Sequence, residues 1–243
     1  LLGMFVAQII ICFIALQVML KNKIFSFNYE SFLLTKLPFK EIFVFSLPLS
    51  FAVAFQWFNA QGFRLQLEKN ISLYMLGSFI MGFSFGGKFL NAIEKVFSTV
   101  FMPSLYNRPE NITIKKAWLI YLYKMTMLYV VSTVILYFCA TQLYVLLIAK
   151  EYQSGLEYIA AGMMFDMFRC ILNSIYQYNM LTAKNSLQFI FNALISALIS
   201  SVIYLVFHFE ISFKFFVYTM PALMASVAII CFFANLMDKN EDS

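Results

Sequence analysis

Polar side chains recur at helical spacing inside one long apolar stretch, residues 71–101. They are separated by four, three and four positions, which places them on one face of an α-helix: Ser84, Lys88, Asn91 and Lys95. Lys88 and Lys95 have no acid at matching spacing, so both are candidate ligands for an anion. Snorkelling to the membrane interface is the alternative for Lys95. Glu94 lies beside this stripe and points about 100° away from Lys95, so the two can pair only loosely.

A second polar stripe follows in residues 156–181. It has the same helical spacing and consists of Gly162, Asp166, Arg169, Asn173 and Gln177. Charges at bilayer depth usually face a partner, the bundle interior or a water-filled cavity. Two helices that each carry one polar face therefore predict a shared polar cavity. The alternative for Asp166 and Arg169 is an internal salt bridge between positions i and i+3, which makes membrane insertion cheaper.

Other candidate chemistry is sparse. Arg64, in Gln61-Gly62-Phe63-Arg64, offers a planar guanidinium that suits phosphate, although an interfacial anchor explains it as well. The single histidine, His208, has no second histidine for a metal and no nucleophile motif nearby. The cysteines stand alone at wide spacing, as apolar filler would: Cys12, Cys139, Cys170 and Cys231. We therefore predict no catalytic site, no metal and no cofactor.

The elements that must position these residues are membrane-spanning helices. Hydrophobic residues make up 62% of the chain and charged residues 12%, against about a quarter in soluble domains. The apolar blocks are about as long as a helix needs to cross hydrocarbon, and they predict an all-α integral membrane protein with about seven spans. Basic residues are scattered, with no pattern typical of nucleic-acid binding. The predicted spans are 1–20, 41–61, 71–101, 118–140, 156–181, 186–207 and 213–236.

Orientation follows from the basic residues beside the spans, because these are retained in the cytoplasm. One side holds nine: Lys21, Lys23, Lys36, Lys40, Arg108, Lys115, Lys116, Lys184 and Lys239. The other side holds four: Arg64, Lys69, Lys150 and Lys214. The first side is therefore predicted to be cytoplasmic, together with the tail 237–243. Leu1 then begins on the outer face, so we expect a front half to be missing.

The order of several loose motifs resembles the C-terminal half of the bacterial polysaccharide (O-antigen type) flippases, in the superfamily that also holds the multidrug and toxic-compound exporters. Arg64 followed by Gly77 thirteen positions on resembles the end of the family's seventh helix and the start of its eighth. Phe101-Met-Pro103-Ser-Leu-Tyr106 resembles the aromatic-Pro-aromatic end of that helix, and Ile148-Ala-Lys-Glu151-Tyr152 a short outer segment. Many relatives have Asp directly before the Arg, where this chain has Phe63.

The resemblance implies a fold of twelve or more helices in two six-helix lobes around a cavity. In this chain, 1–20 would be the last helix of a truncated N-terminal lobe and 21–40 a cytoplasmic loop between lobes. Residues 41–236 would then form the six-helix C-terminal lobe. Transporters built from such repeats bind substrate between their lobes.

The function implied is that of a flippase, not an enzyme, in the bacterial inner membrane. It would move undecaprenyl-diphosphate-linked oligosaccharide repeat units between leaflets for surface polysaccharide such as O-antigen or capsule, with membrane lipid, a glycan polymerase and a chain-length regulator as partners. Substrate would follow a cationic and polar path of Arg64, Lys88, Asn91, Lys95, Arg169, Asn173 and Gln177. Glu94 or Asp166 would couple transport to an ion gradient. The alternatives are a multidrug exporter of the same superfamily, a glycan polymerase or an O-acyltransferase.

Overall fold

Every regular element in the described part of the chain is helical. The computed structural model describes residues 39–109 and 112–237, together with the single residue Gln17. The long helices are α1 (Phe39–Trp57), α3 (Leu73–Tyr106), α4 (Ile114–Leu147), α5 (Ile159–Leu181), α6 (Asn185–His208) and α7 (Phe213–Leu236). The short elements are a π-helix (Phe58–Gly62), α2 (Phe63–Leu67) and a 3₁₀-helix (Lys150–Tyr158).

The chain divides into two compact units, Leu1–Phe43 and Val44–Ser243. In the first unit the description covers only Gln17 and the first residues of α1. Apart from these, the predicted span 1–20 and loop 21–40 lie outside the described residues. The same is true of the predicted tail beyond Met237. The assignment of these segments to transporter lobes stays a prediction.

Four described helices are long and apolar enough to cross a membrane: α3, α4, α6 and α7. They coincide with four of the predicted spans. The helices at the predicted spans 41–61 and 156–181, α1 and α5, are not among these four, so the count of about seven is not confirmed. The described part of the protein is thus all-helical, with four helices that are candidate membrane spans.

Two helices are longer than the apolar runs that predicted them. α3 and α4 each contain 34 residues, or about 51 Å at 1.5 Å per residue, whereas the hydrocarbon core is about 30 Å thick. Both begin at a side-chain cap. The hydroxyl of Ser72 accepts a hydrogen bond from the Met75 amide, and that of Thr113 from the Lys116 amide. α4 thus begins four residues before the predicted span 118–140, whereas α3 begins within the predicted span 71–101 and extends beyond its end.

α5 is the central helix of the second unit and packs against α3, α4 and α7. Its contact with α3 is close because glycines line it. A Cβ atom on Gly162 would lie 1.9 Å from the carbonyl oxygen of Phe83 on α3. Gly82 of α3 packs in the same way against the 3₁₀-helix, where its Cβ would lie 1.9 Å from the carbonyl oxygen of Gly155. Without side chains at these positions the two backbones can approach directly. This approach brings the two predicted polar stripes to the same level.

Candidate functional site

A polar cavity of about 370 Å³ lies between the π-helix, α2, α3 and α5. Three other clefts are larger. Those of about 430 and 730 Å³ are lined almost entirely by apolar side chains, as expected of grooves that face lipid, and one of about 490 Å³ lies between the end of α2, the turn after it and α6. The polar cavity is the place where charged side chains from several helices meet. Its lining comprises Ala60, Gln61, Arg64, Phe83, Ser84, Gly87, Lys88, Asn91, Phe165, Asp166 and Arg169.

Arg64 enters the cavity from α2, directly after the π-helix. A π-helical turn is closed by an i→i+5 hydrogen bond and so holds one residue more than an α-helical turn, which is closed by i→i+4, and such insertions are frequent at functional sites. Asn59 within it is buried, donating to the Asn192 carbonyl (3.1 Å) and accepting from the Ser196 hydroxyl (2.6 Å). These bonds fix the segment to α6. Nη2 of Arg64 then donates to the Ser84 hydroxyl across 2.7 Å.

The guanidinium of Arg64 retains binding capacity. Its Nε is buried and has no hydrogen-bond partner among the described residues. A buried donor without a partner costs roughly 1–3 kcal/mol. Because this nitrogen is itself buried, a ligand oxygen in the cavity would recover that cost only if the Arg64 side chain shifts.

Asp166 and Arg169 form an ion pair one turn apart on α5. Nε of Arg169 donates to Oδ1 of Asp166 at 2.7 Å, and Nη2 of Arg169 donates to Oδ1 of Asn91 on α3. Both side chains are about 12–13% exposed. The salt bridge that the i, i+3 spacing predicted as the alternative is therefore present. Its arginine also bridges the two polar stripes.

Glu94 of α3 contacts α5, although the sequence placed it beside the polar stripe of its own helix. Its two carboxylate oxygens accept hydrogen bonds from Nδ2 of Asn173 (3.0 Å) and from Sγ of Cys170 (3.3 Å). Oδ1 of Asn173 accepts in turn from Nε2 of Gln56 on α1 (2.7 Å). A chain of hydrogen bonds therefore links α1, α5 and α3 next to the cavity. Asn91 and Glu94 are three residues apart, and this helical spacing was a sequence signal that Glu94 shares the face of α3 that meets α5.

Only some residues of the predicted substrate path lie together in the cavity. Arg64, Lys88, Asn91 and Arg169 line the cavity, with Asn173 one turn beyond it. Lys95, in contrast, is exposed and not part of the lining. Gln177 is two turns farther along α5 than Arg169, and its buried Oε1 has no partner among the described residues. The four-three-four spacing included Lys95 because it cannot show which part of a helix face meets its neighbour.

Sequence reasoning missed several contributors. Cys170 was taken for apolar filler, yet its buried thiol donates to Glu94. Gly87 has no side chain to suggest a role but makes room for the carboxylate of Asp166. Lys124 is a further charge in the predicted span 118–140, and its ammonium lies 5.6 Å from the centre of the Phe101 ring, a cation–π contact. No local spacing signals these contacts, since each joins separate helices.

The cavity carries more positive than negative charge. Arg64, Lys88 and Arg169 line it against the single carboxylate of Asp166, and Asp166 is already paired with Arg169. Arg64 and Lys88 thus remain as cations without an ion-pair partner in the described part of the chain. The described ranges also contain no cluster of three or more metal-ligating residues. The arrangement suits binding of an anion with several oxygens.

Comparison of the chain with protein-family models, with curated proteins and with solved structures gives no significant match.

Proposed function

We propose that this chain is part of a flippase that moves undecaprenyl-diphosphate-linked oligosaccharide across the bacterial inner membrane. The observation that carries the proposal is the cationic cavity between α2, α3 and α5. A diphosphate that carries sugars cannot cross bare hydrocarbon, because desolvating charged and hydroxyl groups costs many kcal/mol. A polar cavity within a bundle of apolar helices provides a path for such a head group.

The charge of the cavity supports an anionic substrate over a cationic one. An exporter of cationic drugs would be expected to present acids without excess base. Here Arg64 and Lys88 are the groups left to bind a ligand once Asp166 and Arg169 have neutralised each other. Gln61, Ser84 and Asn91 add neutral hydrogen-bonding groups, which suit phosphate and sugar oxygens.

The proposal includes a location and an orientation. Residues with positive charge favour the cytoplasmic side, so the end of α7 and the tail after Met237 are placed in the cytoplasm of a bacterial cell. Fusion of a reporter active only in the cytoplasm to Met237 tests this. Activity of the fusion is expected, and activity only of a periplasmic reporter at the same position would reverse the orientation.

The first experiment is deletion of the gene in its own host. Surface polysaccharide is measured by glycan staining and undecaprenyl-linked repeat units by lipid extraction. We expect surface glycan to be lost while complete units accumulate in the cytoplasmic leaflet. Normal glycan would refute the flippase, and if it came with new sensitivity to cationic drugs it would favour the exporter.

The second experiment uses a matched pair of lysines on α3. Lys88 lines the cavity, whereas Lys95, two turns along the same helix, is exposed and does not. Lys88→Ala removes a charged hydrogen-bond donor worth roughly 1.5–3 kcal/mol, or about a tenfold to hundredfold loss of affinity. We expect surface glycan to fall strongly in Lys88→Ala and to stay normal in Lys95→Ala, at equal amounts of protein in the membrane. Equal glycan in both variants would contradict the role of the cavity.

A further inference from the structure

Two clefts along α6 meet at Ser200. The larger, of about 730 Å³, lies between α6, α1 and the π-helix, and its lining is apolar apart from Ser196 and Ser200. The other, of about 490 Å³, lies between α6, the end of α2 and the turn after it, and Ser200 lines it too. The two clefts therefore form one groove along α6, with an apolar arm and a polar arm.

The polar arm presents hydrogen-bonding groups and positive charge. Its polar lining residues are Gln66, Lys69, Asn70, Ser200, Tyr204 and His208, and none of the described residues that line it is an acid. Lys69 is exposed and forms no ion pair within the described ranges. An ammonium group among neutral donors suits the oxygens of a phosphate group.

Neighbouring contacts hold the polar arm in shape. Nε2 of Gln66 donates to the Ser200 hydroxyl at 3.2 Å, which joins α2 to α6. Nδ2 of Asn70 donates to the Gln66 carbonyl at 2.9 Å. The ring of His208 stacks on that of Tyr204, with centroids 5.2 Å apart and planes 11° from parallel. Imidazole carries an N–H donor whether it is neutral or charged, so His208 can also bind an anion.

The groove has the dimensions of a lipid in one leaflet. The chain is helical from Phe51 in the apolar arm to Leu67 at the end of α2, about 24 Å at 1.5 Å per residue. Half of the hydrocarbon core is only about 15 Å thick. An acyl chain of one leaflet can therefore lie along the apolar arm, and Lys69, two residues after Leu67, then lies at the level of the head group.

We propose that this groove is a binding site for an anionic phospholipid, with an acyl chain in the apolar arm and the phosphate against Lys69. The apolar cleft of about 430 Å³ between α4, α5 and α7 has no charged residue in its lining, so it offers a chain no head-group site. A zwitterionic head group would bring an ammonium that finds no carboxylate in the polar arm. The groove therefore selects phosphatidylglycerol over phosphatidylethanolamine. This selection does not depend on the flippase proposal.

The chain carries its own reporter for the test. Of its two tryptophans, Trp57 lines the apolar arm and is 56% exposed, whereas Trp118 is fully buried. The whole protein is reconstituted into equimolar vesicles of phosphatidylglycerol and phosphatidylethanolamine, in which either one or the other lipid carries brominated acyl chains. Bromine quenches tryptophan fluorescence at short range, so the comparison shows which lipid lies beside Trp57.

Quenching should be stronger when phosphatidylglycerol carries the bromine. One lysine near an anionic head group contributes about 1 kcal/mol, which corresponds to a preference of about fivefold. Trp57→Phe should abolish the difference between the two vesicle types, because the signal then comes only from Trp118. Equal quenching of the wild type by both lipids, or an unchanged difference in Trp57→Phe, would overturn the proposal.

A matched pair of exposed lysines assigns the preference to the groove. Lys69→Gln should remove it, whereas Lys150→Gln, on the same predicted side of the membrane but outside the groove, should retain it. Both side chains are exposed, so both variants should fold. A preference that survives in Lys69→Gln would contradict the assignment.

Two competitors separate the lipid from other sources of phosphate. Millimolar glycerol phosphate, which has no acyl chain, should leave the quenching unchanged, and so should a small mole fraction of undecaprenyl phosphate. Relief of quenching by glycerol phosphate would make the polar arm a site for soluble phosphate. Relief by undecaprenyl phosphate would assign the groove to a polyprenyl lipid. Either result would overturn the phospholipid site.

Discussion

A Cβ atom on Gly87 would lie 1.6 Å from Oδ2 of Asp166, far inside any possible contact. The carboxylate of Asp166 thus occupies the space that a side chain on α3 would need. The same contact between α3 and α5 contains Gly162, whose Cβ would lie 1.9 Å from the backbone carbonyl oxygen of Phe83. The cavity exists at this level because small residues on both helices leave room for charged side chains from one of them.

Gly87→Ala should therefore destabilise the protein. The added methyl group must displace the Asp166 carboxylate and weaken its bond to Arg169. Overpacking of this kind typically costs about 1–3 kcal/mol. The thermal unfolding midpoint in detergent measures the effect. Gly77→Ala is the control, since its Cβ would meet only the ring of Tyr152, at 3.0 Å. Equal midpoints for both variants would show that the close contact at Gly87 is not a constraint.

The Asp166–Arg169 pair should give strongly non-additive mutational effects. Asp166→Asn leaves the arginine without its carboxylate in a site where it is 12% exposed. Removing one partner of a buried pair typically costs about 3–5 kcal/mol, whereas replacing both is far less costly. We expect Asp166→Asn combined with Arg169→Met to be more stable than Asp166→Asn alone. A double-mutant cycle from denaturant unfolding measures the coupling. Additive single effects would mean that the two charges do not interact.

Replacing the buried Asn59 should destabilise the protein more than replacing an exposed asparagine. Asn59→Ala removes bonds to the Asn192 carbonyl and the Ser196 hydroxyl between the π-helix and α6, at a cost of roughly 1–3 kcal/mol. Asn70 also donates to a backbone carbonyl, that of Gln66, but is exposed. Asn70→Ala should therefore change the unfolding midpoint very little. If both substitutions changed the unfolding midpoint by the same small amount, Asn59 would not be what holds the π-helix to α6.

The exposed pair Glu157–Lys214 should contribute little, and only above acidic pH. Nζ of Lys214 lies 2.8 Å from Oε2 of Glu157, with the side chains 63% and 42% exposed. The hydrogen bond from Lys214 lowers the pKa of Glu157 below its usual 4.5. Because the folded-state pKa is the lower one, the stabilisation is present above about 4.5 and is lost as pH falls through the folded value.

Glu157→Gln should accordingly lower the unfolding midpoint slightly at neutral pH and low salt. The difference from the wild type should disappear in acid, where Glu157 is protonated in both states, and at high salt, which screens exposed charges. Unfolding scans of both proteins at two pH values and two salt concentrations measure this. A difference that persisted in acid would have to come from something other than the ion pair.

The sequence by itself determined that the described chain is helical and that four of its helices are long and apolar enough to span a membrane. Composition and the length of the apolar blocks are local properties, so the positions of α3, α4, α6 and α7 followed directly. The polar stripes on residues 71–101 and 156–181 were also visible, because helical spacing is fixed by backbone geometry. The ends of α3 and α4 were not predicted, since both helices extend beyond the end of the apolar run that predicted them.

Only the tertiary structure decided which polar side chains meet. Helical spacing predicted that Lys95 lies on the polar stripe of α3 and that Glu94 lies beside it. In the structure, α3 is rotated so that Glu94 contacts Asn173 of α5, whereas Lys95 is exposed. The rotation depends on where glycines allow backbones to touch. Cys170 and Gln56 gained roles for the same reason, since each contacts a residue at least 76 positions away. Contacts between distant helices depend on side-chain packing in three dimensions, which local periodicity does not contain.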